Sequence, residues 1–182
     1  MRTLALIATL LAVCTALAGC SRRLHENDVR EFIDTADNAA RKRFAPDICS
    51  LRGKDFTLHL TFHGHQSKLE PTEVEMDRKL FCKEAGKFSR LYQYLLERRS
   101  IEIDMAGDRR TARVTSNYVE TLPYYEPDMM PRTPDDFFQF QVVETRDESV
   151  VGFEGGDLKF LSTDAESHQT LVAKTSVNIP YQ

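Results

Sequence analysis

The chain has 182 residues, of which 41% are hydrophobic and 29% charged, and its formal net charge is −4. That is the balance of an ordinary globular protein of single-domain length. Lys and Arg are scattered among Asp and Glu, so no basic patch points to nucleic acid, and there is neither an internal repeat nor a low-complexity tract.

The first segment reads as an export signal. Met1-Arg2 is a minimal positive start, and an apolar run follows from Leu4 to Val13. A core of about 10–14 residues is too short to span a bilayer but suits a secretion signal. It ends in Leu17-Ala18-Gly19-Cys20, which resembles the lipobox of bacterial lipoproteins. That resemblance implies cleavage after Gly19 and acylation of Cys20, so that 1–19 is removed and 20–25 becomes a polar tether. Each buried methylene contributes about 0.8 kcal/mol, so two or three acyl chains would hold the chain durably on a membrane. Ser21, where an inner-membrane retention signal would place Asp, favours an outer-membrane location facing the periplasm.

Of the four cysteines, Cys14 leaves with the signal and Cys20 carries lipid, which leaves Cys49 and Cys82. A redox or metal pair would show C-x-x-C spacing or a nearby His, and neither is present. In an oxidising compartment the pair reads as a structural disulfide, with two free buried thiols as the alternative. Closing a loop of this length contributes about 3–4 kcal/mol in the chain-entropy model.

A helix starts near Asn27 or Asp28, with Asp28 and Glu31 as a capping pair. Val29, Phe32, Ile33, Ala36, Ala40 and Phe44 recur at three- and four-residue steps and form its apolar stripe. Arg41-Lys42-Arg43 suit its last turn, Pro46 ends it, and Asp47–Leu51 reads as one further helical turn. Lys54–His63 alternates, with Phe56, Leu58, Leu60 and Phe62 on one face and Thr57, His59, Thr61 and His63 on the other, a half-buried strand. Thr72 with Glu75 matches a second capping box, and the following pattern predicts a long helix reaching Arg98. Ile101, Ile103 and Met105 then alternate, Gly107-Asp108 turns, and Ala112, Val114, Ser116 and Tyr118 alternate on the way back. A Pro-rich connection covers Thr121–Asp136. Phe138, Phe140 and Val142 resume as a strand, Val150–Phe153 continues it, Gly155-Gly156 turns, and Leu158–Leu161 returns. From about Ser167 to Gln182 the pattern fades into a tail, so the predicted domain is 26–166.

Helices in the first half and hairpin-linked strands in the second make the class α+β, with the N-terminal helices packed on a curved antiparallel sheet. This order resembles the nuclear transport factor 2-like superfamily, the ketosteroid-isomerase and SnoaL-like cones. The stretch from Ser100 to Thr115 is similar to its central hairpin. Phe153-Glu-Gly-Gly-Asp-Leu-Lys-Phe-Leu is similar to its final one, with Leu158 near where the family often has an aromatic residue. The resemblance covers roughly Glu26–Ala165 and implies helices filling the concave side of the sheet.

Enzymes of the resembling family use a carboxylate or His inside the cone, with Tyr or Asp binding the substrate. Asp34, Asp37, Tyr92, Tyr94 and Tyr118 are the conceivable pocket groups, although none sits in a matching motif and Tyr at such spacings more often fills a core or rim. There is no Gly-rich phosphate loop, no Ser-His-Asp pattern and no H-E-x-x-H, so no cofactor is implied. His59 and His63 share a strand face about 13 Å apart, too far for one metal, and His65 would have to fold back toward His63. The segment reads as an exposed polar face. The loop bearing Tyr124, Tyr125, Met129 and Met130 holds apolar groups on a segment that normally faces water. It reads either as a cover over the open end of the sheet or as a recognition surface for an envelope protein or a small apolar ligand. Two functions follow from these features. One is a non-catalytic, lipid-anchored binding or assembly module of the cell envelope. The other is a cone that binds or transforms a small molecule through a pocket Asp, Tyr or His. A sealed apolar interior would favour the first and converging polar groups the second.

Overall fold

Helix α1 spans Glu26–Lys42 and α2 spans Ala45–Ser50 in the structure, a computed structural model that describes residues 23–65, 70–88, 93–124 and 139–176. The Asp28 carboxylate accepts the His25 backbone N–H at 3.0 Å, so Asp28 works from the third helical position and His25 is the cap. Val29, Phe32 and Ile33 are buried as the spacing predicts, but the buried side is completed by Asp37 and Ala39. Phe44 is 54% exposed, because Arg43 takes a left-handed φ of 55° and turns the chain off the helix axis before it. The first helix therefore ends at Arg43 rather than at Pro46, which instead opens α2.

The segment expected to serve as a polar tether is not polar throughout. Leu24 is fully buried, and its N–H donates to the Arg109 carbonyl at 2.8 Å. Cys20 itself lies outside the described residues.

Strand β1 (Arg52–His63) is followed by β2 (Thr72–Asp77), α3 (Arg78–Phe88) and β3 (Leu95–Met105). The expected single helix from Thr72 to Arg98 is therefore a strand, a shorter helix and the start of another strand. Thr72, Val74 and Met76 alternate and pair with Phe62, Leu60 and Leu58 of β1. The helix cap is Asp77, whose Oδ1 accepts the Leu80 N–H at 2.7 Å. Cys49 of α2 and Cys82 of α3 are bonded, with Cα atoms 5.5 Å apart.

The second half is β4 (Thr111–Tyr124), β5 (Gln139–Glu154) and β6 (Asp157–Ala173), with a short helical turn at Lys174–Ser176. Thr121–Tyr124, expected to open the Pro-rich loop, instead pair with β5 as the end of β4. Gly155 and Gly156 have φ of +62° and +94° and make the β5–β6 turn, where a side chain would be strained. Strand β6 continues through Ser167 to Ala173, paired with β5 back to Gln139, so the domain extends beyond the predicted boundary at 166. The sheet order is β2-β1-β6-β5-β4-β3. It is mixed rather than wholly antiparallel, because β1 runs parallel to β6.

Leu24, Val29, Phe32, Ile33, Phe56, Ala112, Val114, Val151 and Phe160 form the main core between α1 and the sheet. The Phe32 and Phe160 rings lie 4.8 Å apart. No helix among the described residues is long and apolar enough to cross a membrane.

Candidate functional site in the cone interior

Cross-strand partners share a sheet face, so the register defines the lining. Ala112 faces Val151, which faces Phe160, an apolar row at one end. Val114, Ser149 and Thr163 form the next row, Ser116 and Asp147 the next, and Tyr118 and Thr145 with Ser167 the next. The interior therefore grades from apolar to polar along the strands. A bulge between Arg98 and Ser100 shifts the β3 register by one residue. It sets Arg98 opposite Tyr118 and Ile101 opposite Ser116, on one face, where simple alternation would separate them.

Arg98 is the hub of the polar part. Its Nε donates to Asp37 Oδ2 at 2.9 Å and its Nη2 to Oδ1 at 2.5 Å, a bidentate pair that ties α1 to β3. Its Nη1 donates to Ser116 Oγ at 2.5 Å, and the Ser116 hydroxyl donates in turn to Asp147. Ser149 Oγ donates to the other Asp147 oxygen at 3.3 Å and bonds Thr163 at 2.8 Å. The Arg98 guanidinium also lies 5.2 Å from the Tyr118 ring centroid. Tyr94, 1% exposed, donates its hydroxyl to Glu120 at 2.5 Å.

Burial raises the proton affinity of Glu120 above the ordinary carboxylate range, against the opposing Tyr94 hydrogen bond and Arg98 charge. Burial does the same for Asp147, against the Ser116 hydrogen bond and Arg98. Burial also raises the Tyr94 and Tyr118 phenols. Arg52 sits over the apolar end, its guanidinium carbon 4.3 Å from the Phe160 centroid, 4.7 Å from Phe81 and 5.2 Å from Phe56. Burial pushes its pKa down to about 10. Its Nε and Nη1 have no hydrogen-bond partner among the described residues, and the aromatic faces take that place.

Of the pocket groups named from the sequence, Asp37, Tyr94 and Tyr118 converge here. Asp34 is exposed on the outer side of α1, and Tyr92 lies outside the described residues. Arg98, Ser116, Glu120 and Asp147 were not named. Arg98 becomes a pocket residue only once β3 is recognised as a strand beginning at Leu95, whereas Glu120 continues the alternation of Ala112, Val114, Ser116 and Tyr118 along β4. Of the loop residues, Tyr124 ends β4 half-buried, its ring 5.8 Å from that of His65, while Tyr125, Met129 and Met130 lie outside the described residues. On the opposite sheet face His59 pairs with Glu75, and His63 meets Glu166 and His168 of β6.

No protein-family model matches the sequence, and no curated protein matches it. Solved structures do match. The beta subunit of benzoate 1,2-dioxygenase from Burkholderia mallei superposes over 80% of this chain and 92% of its own, with a TM-score of 0.57 at 10% identity. A protein from Planctomyces limnophilus covers 81% and 96%, with a TM-score of 0.54 at 13% identity. A nuclear transport factor 2-like protein from Cytophaga hutchinsonii covers 79% of this chain and 99% of its own, with a TM-score of 0.50 at 11% identity. The fold is the nuclear transport factor 2-like cone. At these identities the likeness is one of architecture, and what the cone does depends on its own lining.

Proposed function

We propose that this chain is a lipid-anchored binding module of the bacterial cell envelope, and that its cone interior receives a small molecule. The observation that carries the reading is the convergence of Asp37, Arg98, Glu120, Asp147, Tyr94 and Tyr118 on one wall. Buried ion pairs are commonly no better for stability than hydrophobic residues of similar volume, so stability gives little reason for this polar wall. A lining graded from apolar to polar suits a ligand with an apolar body and one hydrogen-bonding end. Binding is favoured over turnover because Asp37, Glu120 and Asp147 each already hold a partner.

The enzymatic reading has one observation of its own. Glu120 is a part-buried carboxyl whose proton affinity is raised, the property a general acid or base needs. The anchor supports the envelope location. Leu24 is pinned to Arg109, so the four residues from Cys20 allow at most about 14 Å between the acylated Cys and the domain. The β3–β4 hairpin end of the cone then faces the lipid, and the polar lining lies further along the strands from it. The outer membrane remains the favoured location, and an envelope protein is the partner class for the segment that carries Tyr124, Tyr125, Met129 and Met130.

Acyl labelling and membrane fractionation of Cys20→Ala test the anchor, and retention of label and membrane association would refute it. For the interior, calorimetric titration with small alicyclic and aromatic ketones and carboxylates should give binding that Asp37→Leu/Arg98→Met abolishes. Binding unchanged in a folded double variant would place the ligand elsewhere.

A further inference from the structure

We infer that His63, His168 and Glu166 form a divalent transition-metal site on the outer face of the sheet. This goes beyond the proposed function and is independent of it, because the three residues lie on the face opposite the cone lining. The parallel register of β1 and β6 makes His63 and His168 direct partners. Their rings stack with centroids 4.2 Å apart and planes 10° from parallel. Both rings turn Nε2 to the same carboxylate oxygen, Glu166 Oε1, at 3.0 Å from His63 and 3.4 Å from His168. One ligand atom from each residue falls within 4.8 Å of the others.

A single cation lying between the two Nε2 atoms and Glu166 Oε1 can take all three as ligands. Ligands about 2.05 Å from a tetrahedral zinc stand about 3.3–3.4 Å from one another, the range these nitrogen–oxygen distances bracket. Two imidazoles and one carboxylate select zinc, copper or nickel, whereas calcium and magnesium want oxygen ligands throughout.

The site faces water, with His63 31% and His168 58% exposed, so at least one coordination position is open to an outside ligand. Glu166 also lines a groove of about 270 Å³ with Arg146, Glu148 and Asp164, which leaves room for such a ligand beside the metal. Glu144, the cross-strand partner of His168, adds negative charge nearby and is itself paired with Arg99 at 3.4 Å. Nothing local in the sequence marks the site, since the neighbouring trio His59, His63 and His65 supplies only one of its ligands. The residues that complete it stand more than a hundred positions further along the chain.

The test is titration of the full chain in detergent with zinc against a chelating indicator, with cobalt(II) absorption as a second readout. One zinc per chain is expected, with ligand-field bands for cobalt. His63→Ala and His168→Ala should each weaken binding by about tenfold or more, since outer-shell changes alone have effects of that size. Glu166→Gln should weaken it as well and change the cobalt spectrum, whereas His59→Ala should leave it unaltered. Absence of saturable binding, or binding that survives loss of either His63 or His168, would overturn the assignment. Loss of small-molecule binding by the interior would not bear on it.

Discussion

Asp37→Ala isolates what the buried ion pair contributes. The Asp37 side chain is 7% exposed and that of Arg98 18%, so both charges are largely removed from water and solvent screening is weak. The substitution deletes two short charge-assisted hydrogen bonds and leaves the guanidinium with Ser116 as its remaining direct partner on this side. Each such bond is worth about 1.5–3 kcal/mol, and breaking a buried pair by removing one partner costs about 3–5 kcal/mol. We therefore expect Asp37→Ala to destabilise the fold by about 3–4 kcal/mol, which lowers the thermal midpoint by about 10 °C for a domain of this size. Asp37→Leu/Arg98→Met should recover most of that loss, because it removes both charges and leaves neither unpaired. Urea unfolding of wild type, Asp37→Leu, Arg98→Met and the double variant closes a thermodynamic cycle, and the coupling should be about 2–3 kcal/mol. A cost below about 1 kcal/mol for Asp37→Ala would refute the reasoning, as would a double variant no better than the worse single one.

The disulfide joins residues separated by 33 positions, so Cys49→Ser/Cys82→Ser should lower stability by about 3.7 kcal/mol in the chain-entropy model, read from urea midpoints. Glu120 binds its proton more tightly in the folded protein than at its ordinary value of 4.5. Below that pH both states are protonated and the group is silent; as pH rises through the folded value the unfolded state ionises first and stability is lost. Glu120→Gln should therefore gain on wild type as pH rises above about 4.5, and parallel stability curves would contradict this. Replacing Tyr124, Tyr125, Met129 and Met130 with Ser should spare the melting temperature and remove capture of an envelope partner in a crosslinking assay. A loss of several kcal/mol would instead make those residues part of the core.

What the sequence shows plainly is what carries hydrophobic periodicity. Val29, Phe32 and Ile33 mark α1, Phe56 to Phe62 mark β1, and the two glycine turns mark the hairpins of the second half. What it hides is the site, and the cause is physical. In the middle of β6 the inner positions are Thr163, Ala165 and Ser167, small or polar residues that line the polar part of the cone and break the apolar alternation. The same polarity that forms the lining makes β6 look like a tail. Arg98 is hidden for a second reason. The bulge beside it breaks the period of two, and Leu95, Leu96 and Glu97 before it favour helix. Strand β2 is hidden by coincidence, because Thr72 and Glu75 stand at capping-box spacing within a segment that alternates Thr72, Val74 and Met76.

The parallel pairing of β1 with β6 also governs when the fold can be completed. Strand β6 lies between β1 and β5, and no other described strand joins the β1–β2 pair to the rest of the sheet. A chain exported as proposed, emerging N-terminus first, can assemble α1, α2, the β1–β2 hairpin, α3 and the Cys49–Cys82 bond early. It must then hold the free edge of β1 open, with Phe56, Leu58, Leu60 and Phe62 beside it, until Asp157–Ala173 arrives. Such late, long-range pairing folds slowly, and an open apolar edge invites pairing with other chains. The edge of β1 thus stays unpaired for the interval between release of β1 and release of β6, and that interval is where the chain is most open to mispairing.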